Sequence, residues 1–352
     1  MTRESKSKVS NGWWLTAALG IGAVAIYTTL RKAGSDYDFQ NKVVLITGGS
    51  RGLGLILART LADRKARIAI CARNQEELKR AQEDLESGGA EVFQTVCDVR
   101  NQSEVNRAVA AVCNHYGRID VLINNAGVIQ VGPLEVQTQE DFENALAVHF
   151  WGAFYMMQAV LPQMRERGTG KIVNISSIGG KVAVPHLAPY CASKFALVGL
   201  SNAMRVELAK DDISVTTVCP GLMRTGSHVN AVFKGQNEKE FAWFSIGNSL
   251  PVSSISAERA AEQIVEAARR GDAELIVSIQ AKLAATANAL FPELTADIAG
   301  LVNRILPEAG GIGEKHALGK DSTSYLSPSF LTAAIDEESY QNNELEPNEI
   351  LI

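Results

Sequence analysis

Residues 42–54, Lys-Val-Val-Leu-Ile-Thr-Gly-Gly-Ser-Arg-Gly-Leu-Gly, turn a short apolar run directly into a glycine-rich loop. The stretch LILARTLADR follows at residues 55–64 and has the composition of a helix. In a strand-loop-helix unit of this kind, Gly48 permits the tight turn, Gly52 lets the backbone approach a pyrophosphate, and Gly54 lets the helix pack closely on the strand. The free N–H groups and positive dipole at the start of the helix favour a phosphate. A tight turn without a ligand is the alternative. The predicted dinucleotide-binding residues of this loop are Thr47, Gly48, Ser50, Arg51, Gly52, Leu53 and Gly54.

Six further apolar or β-branched runs follow and alternate with amphipathic helical stretches. Near-continuous apolar strands indicate burial on both faces of a sheet, and the stretches between them are long enough for crossover helices. The pattern predicts an α/β fold, a doubly wound parallel sheet of about seven strands, within one domain over residues 41–280. The predicted strands are residues 42–47, 66–71, 90–97, 119–125, 170–176, 213–219 and 273–279.

The end of the second predicted strand indicates which dinucleotide binds. A carboxylate there would bind the ribose hydroxyls of NAD, but the chain continues Cys71-Ala72-Arg73-Asn74 without an acid. Arg73 and Arg51 can converge on a 2′-phosphate, because guanidinium groups suit its charge and its oxygens. We therefore expect NADP(H) rather than NAD(H). The alternative is that either arginine is a solvated surface charge.

Four more motifs follow the glycine loop in order along the chain. They are Asn124-Asn125-Ala126-Gly127, Ile175-Ser176-Ser177, Tyr190-Cys191-Ala192-Ser193-Lys194 and Pro220-Gly221-Leu222-Met223-Arg224-Thr225. Together with TGGSRGLG they resemble the short-chain dehydrogenase/reductase family, in its short single-domain branch with TGxxxGxG and YxxxK motifs, over residues 41 to about 275. A Tyr and a Lys four residues apart occur by chance on many helices, whereas five motifs in the family's order are specific. The resemblance implies a Rossmann fold and an oxidoreductase that interconverts a carbonyl and a secondary alcohol.

The spacing of Tyr190 and Lys194 brings the two side chains close enough for acid–base chemistry. Residues i and i+4 share one face of a helix, with Cβ atoms about 5–6 Å apart. A phenol titrates near 10, so a role near pH 7 requires its pKa to fall by roughly three units, or about 4 kcal/mol. The Lys194 ammonium and the oxidised nicotinamide are the nearest sources of that field. Ser177, at the end of a predicted strand, can donate a hydrogen bond to the substrate oxygen.

The resemblance also implies roles for these residues and their neighbours. Tyr190 would be the general acid/base, Lys194 would also hold the nicotinamide ribose, and Ser177 would orient the carbonyl. Each has an ordinary structural alternative, such as a helix-surface aromatic for Tyr190. The other implied cofactor contacts are Asp98 at the adenine, Asn125, Ala126 and Gly127 along the cofactor, and Pro220, Gly221 and Thr225 near the carboxamide.

His149 departs from the family's pattern. It stands where the resemblance places an Asn that usually helps to hold a water near the active-site Lys for proton relay. An imidazole can donate and accept hydrogen bonds, so His149 can partly replace that Asn, yet it is larger and can titrate. We expect activity to be retained, with His149 as a fourth catalytic residue. A packed structural histidine is an equal alternative, and a nucleotide-binding scaffold or sensor without turnover is the alternative function.

The N-terminal segment, residues 1–34, contains an apolar run. Residues 13–30, WWLTAALGIGAVAIYTTL, carry no charge and would span about 27 Å as a helix, which predicts a transmembrane anchor. A buried helix and a cleaved signal peptide are the alternatives. Three basic residues flank each side, so charge alone leaves the orientation open. Because NADP(H) and reduced cysteines suit the cytosol, we expect the catalytic domain to face the cytosol. An enzyme facing the lumen of the endoplasmic reticulum is the alternative.

Composition bears on the remaining partners. The five cysteines include no CxxC pair, which indicates neither a metal site nor a disulfide framework. The net charge is −5, but the last 32 residues hold seven acids and no Lys or Arg. The body is therefore near neutral, and we expect no nucleic-acid partner.

Two C-terminal segments and one internal segment complete the prediction. Residues 281–310 are predicted to form an amphipathic helical extension, as a cover, a homo-oligomer contact or a membrane-surface element. Residues 311–352 predict a disordered acidic tail. Between Thr225 and Ser256, large apolar side chains lie where the family closes a lid, which favours a lipophilic substrate. These side chains are Val229, Val232, Phe233, Phe241, Trp243 and Phe244.

Overall fold

A computed structural model of the chain describes residues 37–250, 254–329, 332–346, 349 and 351. The transmembrane helix predicted over residues 13–30 lies outside the described residues.

All seven predicted strands are present in one parallel sheet. With the strands numbered along the chain, they lie side by side in the order β11-β7-β6-β4-β1-β2-β3. The strand order reverses at β1, which pairs with β2 on one side and β4 on the other. In sheets of this kind a ligand binds beyond the carboxyl ends of the strands at the reversal. The predicted doubly wound sheet is confirmed. The strands are β1 Val43–Thr47, β2 Arg67–Ala72, β3 Val92–Val96, β4 Val121–Asn124, β5 Gln130–Val131, β6 Gly170–Ile175, β7 Ile213–Pro220, β8 Leu222–Arg224, β9 Val232–Phe233, β10 Ser254–Ser256, β11 Glu274–Val277 and β12 Ala317–Leu318.

Helices cover both faces of the sheet. Successive residues of a strand point to opposite faces, and Val43, Val44, Leu45 and Ile46 of β1 are all buried. Val43 and Leu45 pack in one core with the helices Gln102–Tyr116 and Ala153–Arg167. The helices Gly52–Ala62 and Ala257–Arg270 pack against each other outside that core. Burial on both faces explains the continuous apolar strands. The helices of the described residues are α1 Gly52–Ala62, α2 Gln75–Ser87, α3 Gln102–Tyr116, α4 Gln139–Leu146, α5 Ala153–Arg167, α6 Ala188–Leu208, α7 Asn237–Ser249, α8 Ala257–Arg270, α9 Ile279–Leu290, α10 Pro292–Asn303 and α11 Ala333–Gln341.

One long helical stretch positions part of the site. It begins at a capping box in which the backbone N–H of Thr138 donates to Asp141 at 2.7 Å, and a π-helical turn, Ala147–Gly152, joins α4 to α5. By length and composition this stretch could cross a membrane, but half of its apolar window is buried in the protein. Met157 and Met164 lie in the core, so the stretch packs as a core helix.

The predicted helical extension is present as the hairpin of α9 and α10. Its apolar side chains are exposed: Ile305 is 81% exposed, and Ala281 is the residue of α9 that the fold buries. Among the described residues, these apolar side chains therefore do not close a core. The exposed side chains are Ile279, Leu283, Leu290, Phe291, Leu294, Ile298, Leu301 and Ile305.

The tail differs from the disordered segment predicted over residues 311–352. Its described residues form β12, which pairs with β9, and α11, and they bury Ile335, Ser339 and Leu345. The prediction is wrong for these residues because it considered only apolar burial. Polar atoms of the tail instead hydrogen-bond to the body, as Arg59 shows by donating to the carbonyl oxygen of Gln341 at 2.9 Å.

Candidate active site

The glycine loop connects β1 to α1 at the centre of the sheet. Gly48 and Gly52 have φ values of +62° and +52°, which favour glycine. A Cβ on Gly54 would overlap the carbonyl oxygen of Gly48, so the helix can approach the strand only because this position lacks a side chain. These positions match the backbone requirements expected of a phosphate-binding loop.

Thr47 and Asn125 fix this loop to the next strand. The Thr47 Oγ1 atom accepts hydrogen bonds from the backbone N–H groups of Asn125 and Ala126, each at 3.0 Å. The Asn125 amide donates to the carbonyl oxygens of Thr47 and Gly48, each at 3.1 Å. Four predicted cofactor-binding residues, Thr47, Gly48, Asn125 and Ala126, therefore hold the ends of β1 and β4 together.

Ser177, Tyr190 and Lys194 meet beyond the ends of β6 and β7. Lys194 Nζ donates to the carbonyl oxygen of Ile175 at 2.9 Å and lies 5.6 Å from the centroid of the Tyr190 ring. Ser177 follows β6, and its Oγ accepts from the N–H of Gly179 at 3.0 Å. The predicted reacting residues are thus brought together from β6 and α6.

Burial dominates the protonation of this group. Burial raises the pKa of Tyr190 to about 12, and a hydrogen bond with Ser177 offsets only part of that effect. Burial also lowers the pKa of Lys194 to about 7. Both shifts disfavour charge, so the protein alone holds Tyr190 as a phenol that can donate a proton.

His149 lies beside Tyr190 with both ring nitrogens engaged. Its Nε2 accepts from the backbone N–H of Val128 at 3.1 Å, which places the proton on Nδ1, 2.7 Å from Ser193 Oγ. The Ser193 hydroxyl donates in turn to the carbonyl oxygen of Tyr190 at 2.8 Å. Burial and the neighbouring charge of Lys194 hold the pKa of His149 well below its ordinary value. These contacts join α6 to the segment after β4. They also occupy both ring nitrogens, which a relay water would need as hydrogen-bond partners.

The two predicted phosphate arginines have different surroundings. Arg51 lies between two carboxylates, with Glu77 at 3.6 Å and Glu344 at 3.4 Å. Arg73 is exposed directly after β2, and no hydrogen bond or ion pair joins its side chain to the described residues. Arg73 is therefore the arginine whose donors are available to a 2′-phosphate.

The residues predicted at the two ends of the cofactor are also placed. Asp98 accepts from Arg100 at 2.6 Å, and these bonds outweigh partial burial, so the pKa of Asp98 lies below its ordinary value. At the other end, Thr225 Oγ1 donates to Ser227 Oγ at 2.9 Å. Pro220 ends β7, and a Cβ on Gly221 would lie 2.9 Å from Ser278 Oγ. All four positions lie at or beyond carboxyl ends of the sheet.

The predicted lid packs beside Tyr190. Phe233 and Phe241 are fully buried and form an apolar cluster with Val131 and Leu187, against which the Tyr190 ring packs. Inside the lid, His186 Nδ1 contacts Glu240 at 2.8 Å, and the same carboxylate accepts from Trp243 Nε1 at 2.6 Å. Of the apolar side chains predicted for this segment, Phe233, Phe241 and Phe244 belong to the cluster beside Tyr190, and Trp243 packs against it.

Three site residues were missed by reading the sequence. Cys219 is fully buried near Lys194, and burial raises its pKa to about 12. Cys219 directly precedes the Pro220-Gly221 motif, so its position in the sequence could have revealed it. Glu77 and Glu344 reach the glycine loop from α2 and from the tail, and no motif marks either of them.

Comparison with known protein families gives one clear match. The model of the short chain dehydrogenases matches residues 42–234. A putative ketoacyl reductase from Streptomyces coelicolor is 42% identical over 188 residues, which cover 53% of this chain and 72% of that protein. The granaticin polyketide synthase putative ketoacyl reductase 1 from Streptomyces violaceoruber is 35% identical over 242 residues, or 67% of this chain and 89% of that protein.

Solved structures agree with this match. A variant of actinorhodin polyketide ketoreductase crystallised with NADPH superimposes with a TM-score of 0.60 at 34% identity, covering 67% of this chain and 95% of that one. A short-chain dehydrogenase from Streptomyces avermitilis gives a TM-score of 0.64 at 30% identity, over 75% of this chain and 98% of that one.

We expect the substitution His149→Asn to destabilise the protein in a pH-dependent way. An unpartnered Val128 N–H should cost roughly 1–3 kcal/mol at pH 7.5. The folded pKa of His149 is depressed below about 6.5, so below that pH the unfolded chain takes up a proton that the folded ring refuses, and wild-type stability falls. The difference between wild type and variant should therefore shrink between pH 7.5 and 5, as measured by urea unfolding. The exposed His316→Asn serves as control, and a difference that grows toward low pH would contradict the assignment.

Proposed function

Because this chain belongs to the short-chain dehydrogenase/reductase family, we propose that it is an NADP(H)-dependent oxidoreductase that interconverts a carbonyl and a secondary alcohol. The observation that carries the proposal is the meeting of Ser177, Tyr190 and Lys194 beside the glycine loop. The NADPH present with the related actinorhodin ketoreductase supports the choice of cofactor.

The site residues fit a dinucleotide. Gly52 and Gly54 leave two positions of the loop without side chains, and Arg73 stands after β2 with its side chain exposed. When bound, the nicotinamide cofactor supplies or accepts the hydride. Tyr190, Lys194, Pro220, Gly221 and Thr225 would line its nicotinamide end, and Asp98, Asn125, Ala126 and Gly127 its remaining length.

In the reductive direction the chain supplies the proton. The Tyr190 hydroxyl donates it to the carbonyl oxygen as negative charge develops there, and Ser177 Oγ donates a hydrogen bond to the same oxygen. Lys194 has a pKa of about 7, so near neutral pH part of the population carries an ammonium beside the phenol. That positive charge favours the phenolate left after proton transfer and so opposes the rise in pKa that burial causes.

The lid indicates an apolar substrate. Phe233, Phe241 and Phe244 pack in the cluster that contacts Tyr190, so a substrate reaching the phenol would pass apolar side chains. We propose a lipophilic carbonyl compound, and the ketoacyl reductases among the relatives make a ketoacyl compound the first to test. Equal turnover of small polar and lipophilic ketones would contradict this preference.

Residues 13–30 are proposed to anchor the enzyme in a membrane with the catalytic domain in the cytosol. Their uncharged length and the five free cysteines, all in the described residues, support this arrangement. Deleting residues 1–34 should move the protein from the membrane to the soluble fraction. In sealed microsomes, added protease should digest the catalytic domain, whereas protection of that domain would contradict the orientation.

Replacing Tyr190 with Phe should abolish turnover and spare cofactor binding. The ring still packs on the lid cluster, but the proton donor is lost, so kcat should fall by roughly 10²–10⁴. The Kd for NADPH, measured by titration, should change by less than about twofold. Tyr155→Phe on α5 is the matched control. Activity of Tyr190→Phe within about tenfold of wild type would refute the assignment.

Arg73→Asp should reverse the cofactor preference. Loss of a charged hydrogen bond to the 2′-phosphate should weaken NADPH binding by about ten- to a hundredfold, while the new carboxylate can accept from the ribose hydroxyls of NADH. Arg107→Asp, the same charge change on an exposed part of α3, should leave both Kd values unchanged. If wild type binds NADPH and NADH equally, the NADP(H) assignment is wrong.

A further inference from the structure

The C-terminal tail reaches back onto the glycine loop. The backbone N–H of Gly52, in the first turn of α1, donates to the carbonyl oxygen of Asn342 at 2.9 Å. The Asn343 side chain donates to the carbonyl oxygen of Ser50 at 2.8 Å and to that of Glu77 at 3.0 Å. The tail thus accepts a hydrogen bond from an N–H group at a helix N-terminus, where such groups can bind a phosphate.

Glu344 occupies the space that the glycine loop leaves bare. A Cβ on Gly52 would clash with one of its carboxylate oxygens, and its side chain is 3% exposed. Arg51 lies 3.4 Å from the other oxygen, which also accepts from Asn230 Nδ2 at 2.8 Å. Burial raises the pKa of Glu344, although the Arg51 charge opposes the rise. A buried acid therefore stands where the loop is shaped to receive a negatively charged group.

Helix α11 holds this segment across the other end of the site. Ser339 Oγ donates to the carbonyl oxygen of Gly226 at 3.1 Å, and a Cβ on Gly226 would overlap the backbone of Ser339. Asp336 contacts His228 Nε2 at 3.0 Å. The described tail therefore extends from the residue after Thr225, at the nicotinamide end of the proposed cofactor site, to the glycine loop, where the pyrophosphate would lie.

We propose that residues 332–346 form a C-terminal latch, in which Glu344 stands in the place of the cofactor's pyrophosphate and the dinucleotide must displace the latch to bind. This inference rests on the dinucleotide site of the proposed function. The reason is charge and space: a pyrophosphate at Gly52 would compete with Glu344 for the same surface and for the same Arg51 guanidinium. Two anionic groups in a buried site repel each other strongly.

The opposite arrangement is a clamp, in which the tail closes over a bound dinucleotide and strengthens its binding. A clamp would present donors or apolar groups to the pyrophosphate. The latch instead presents a carboxylate, and the carbonyl oxygen of Asn342 accepts a hydrogen bond from the Gly52 N–H. The two arrangements predict opposite effects on affinity.

The test titrates NADPH into the full chain and three variants. Glu344→Gln removes the charge and keeps the shape, Glu337→Gln makes the same change on the exposed face of α11, and a deletion removes residues 332–352. Because a latch lowers apparent affinity by the fraction of open molecules, Glu344→Gln and the deletion should lower the Kd by about tenfold. Glu337→Gln should match wild type.

Hydrogen exchange of residues 333–346 gives a second readout that does not depend on turnover. Saturating NADPH should increase exchange at the amides of Asn342 and Glu344, which donate to Glu338 and Ser339 in the latched state. Unchanged or weaker NADPH binding in Glu344→Gln, or decreased exchange on adding NADPH, would overturn the latch. NADPH binding to no variant would overturn both the latch and the proposed cofactor. The latch signature without reduction of any carbonyl would overturn only the proposed reaction.

Discussion

The close approach of α1 to β1 is the contact on which the rest of the site depends. It exists because Gly54 brings no side chain to the carbonyl oxygen of Gly48. Thr47 and Asn125 then bind the ends of β1 and β4 to each other and to the loop. Once these backbones are fixed, α1 begins beside the point where the strand order of the sheet reverses. The glycine loop therefore combines a close backbone approach with a position at the edge of the candidate site.

Burial, more than pairing, determines the chemistry of the reacting groups. Tyr190 and Lys194 lie in a site that shifts the pKa of each toward its neutral form. His149 is also held neutral, and its two hydrogen bonds fix α6 relative to the segment after β4. Such a site keeps its proton until charge develops on a substrate or arrives with a cofactor. Hydrogen bonds of the neutral Ser177 and Ser193 hydroxyls hold the geometry of the uncharged site.

The two C-terminal segments show how far composition predicts packing. The hairpin of α9 and α10 is rich in apolar residues, yet the fold leaves them exposed. The tail is acidic and polar, yet Glu344 and Ser339 are buried in it. The difference lies in what each segment contacts. The tail meets Arg51, Arg59 and Asn230, whose hydrogen bonds replace the water that its polar groups lose.

The seven-stranded parallel sheet, the glycine loop with Gly54 and the shared helix of Tyr190 and Lys194 could all be predicted from the sequence, because they depend on local periodicity and fixed spacing. The sequence also predicted the apolar segment from which Phe233, Phe241 and Phe244 pack in the cluster beside Tyr190. Three outcomes depend on the tertiary structure: both nitrogens of His149 are engaged, Arg51 faces Glu77 and Glu344, and the described residues of the tail pack on the body. Each of these outcomes joins residues far apart in the chain, such as Gly52 and Asn342. No local pattern records such a contact, because its free energy comes from desolvation and hydrogen bonding between surfaces that exist only after the sheet has formed.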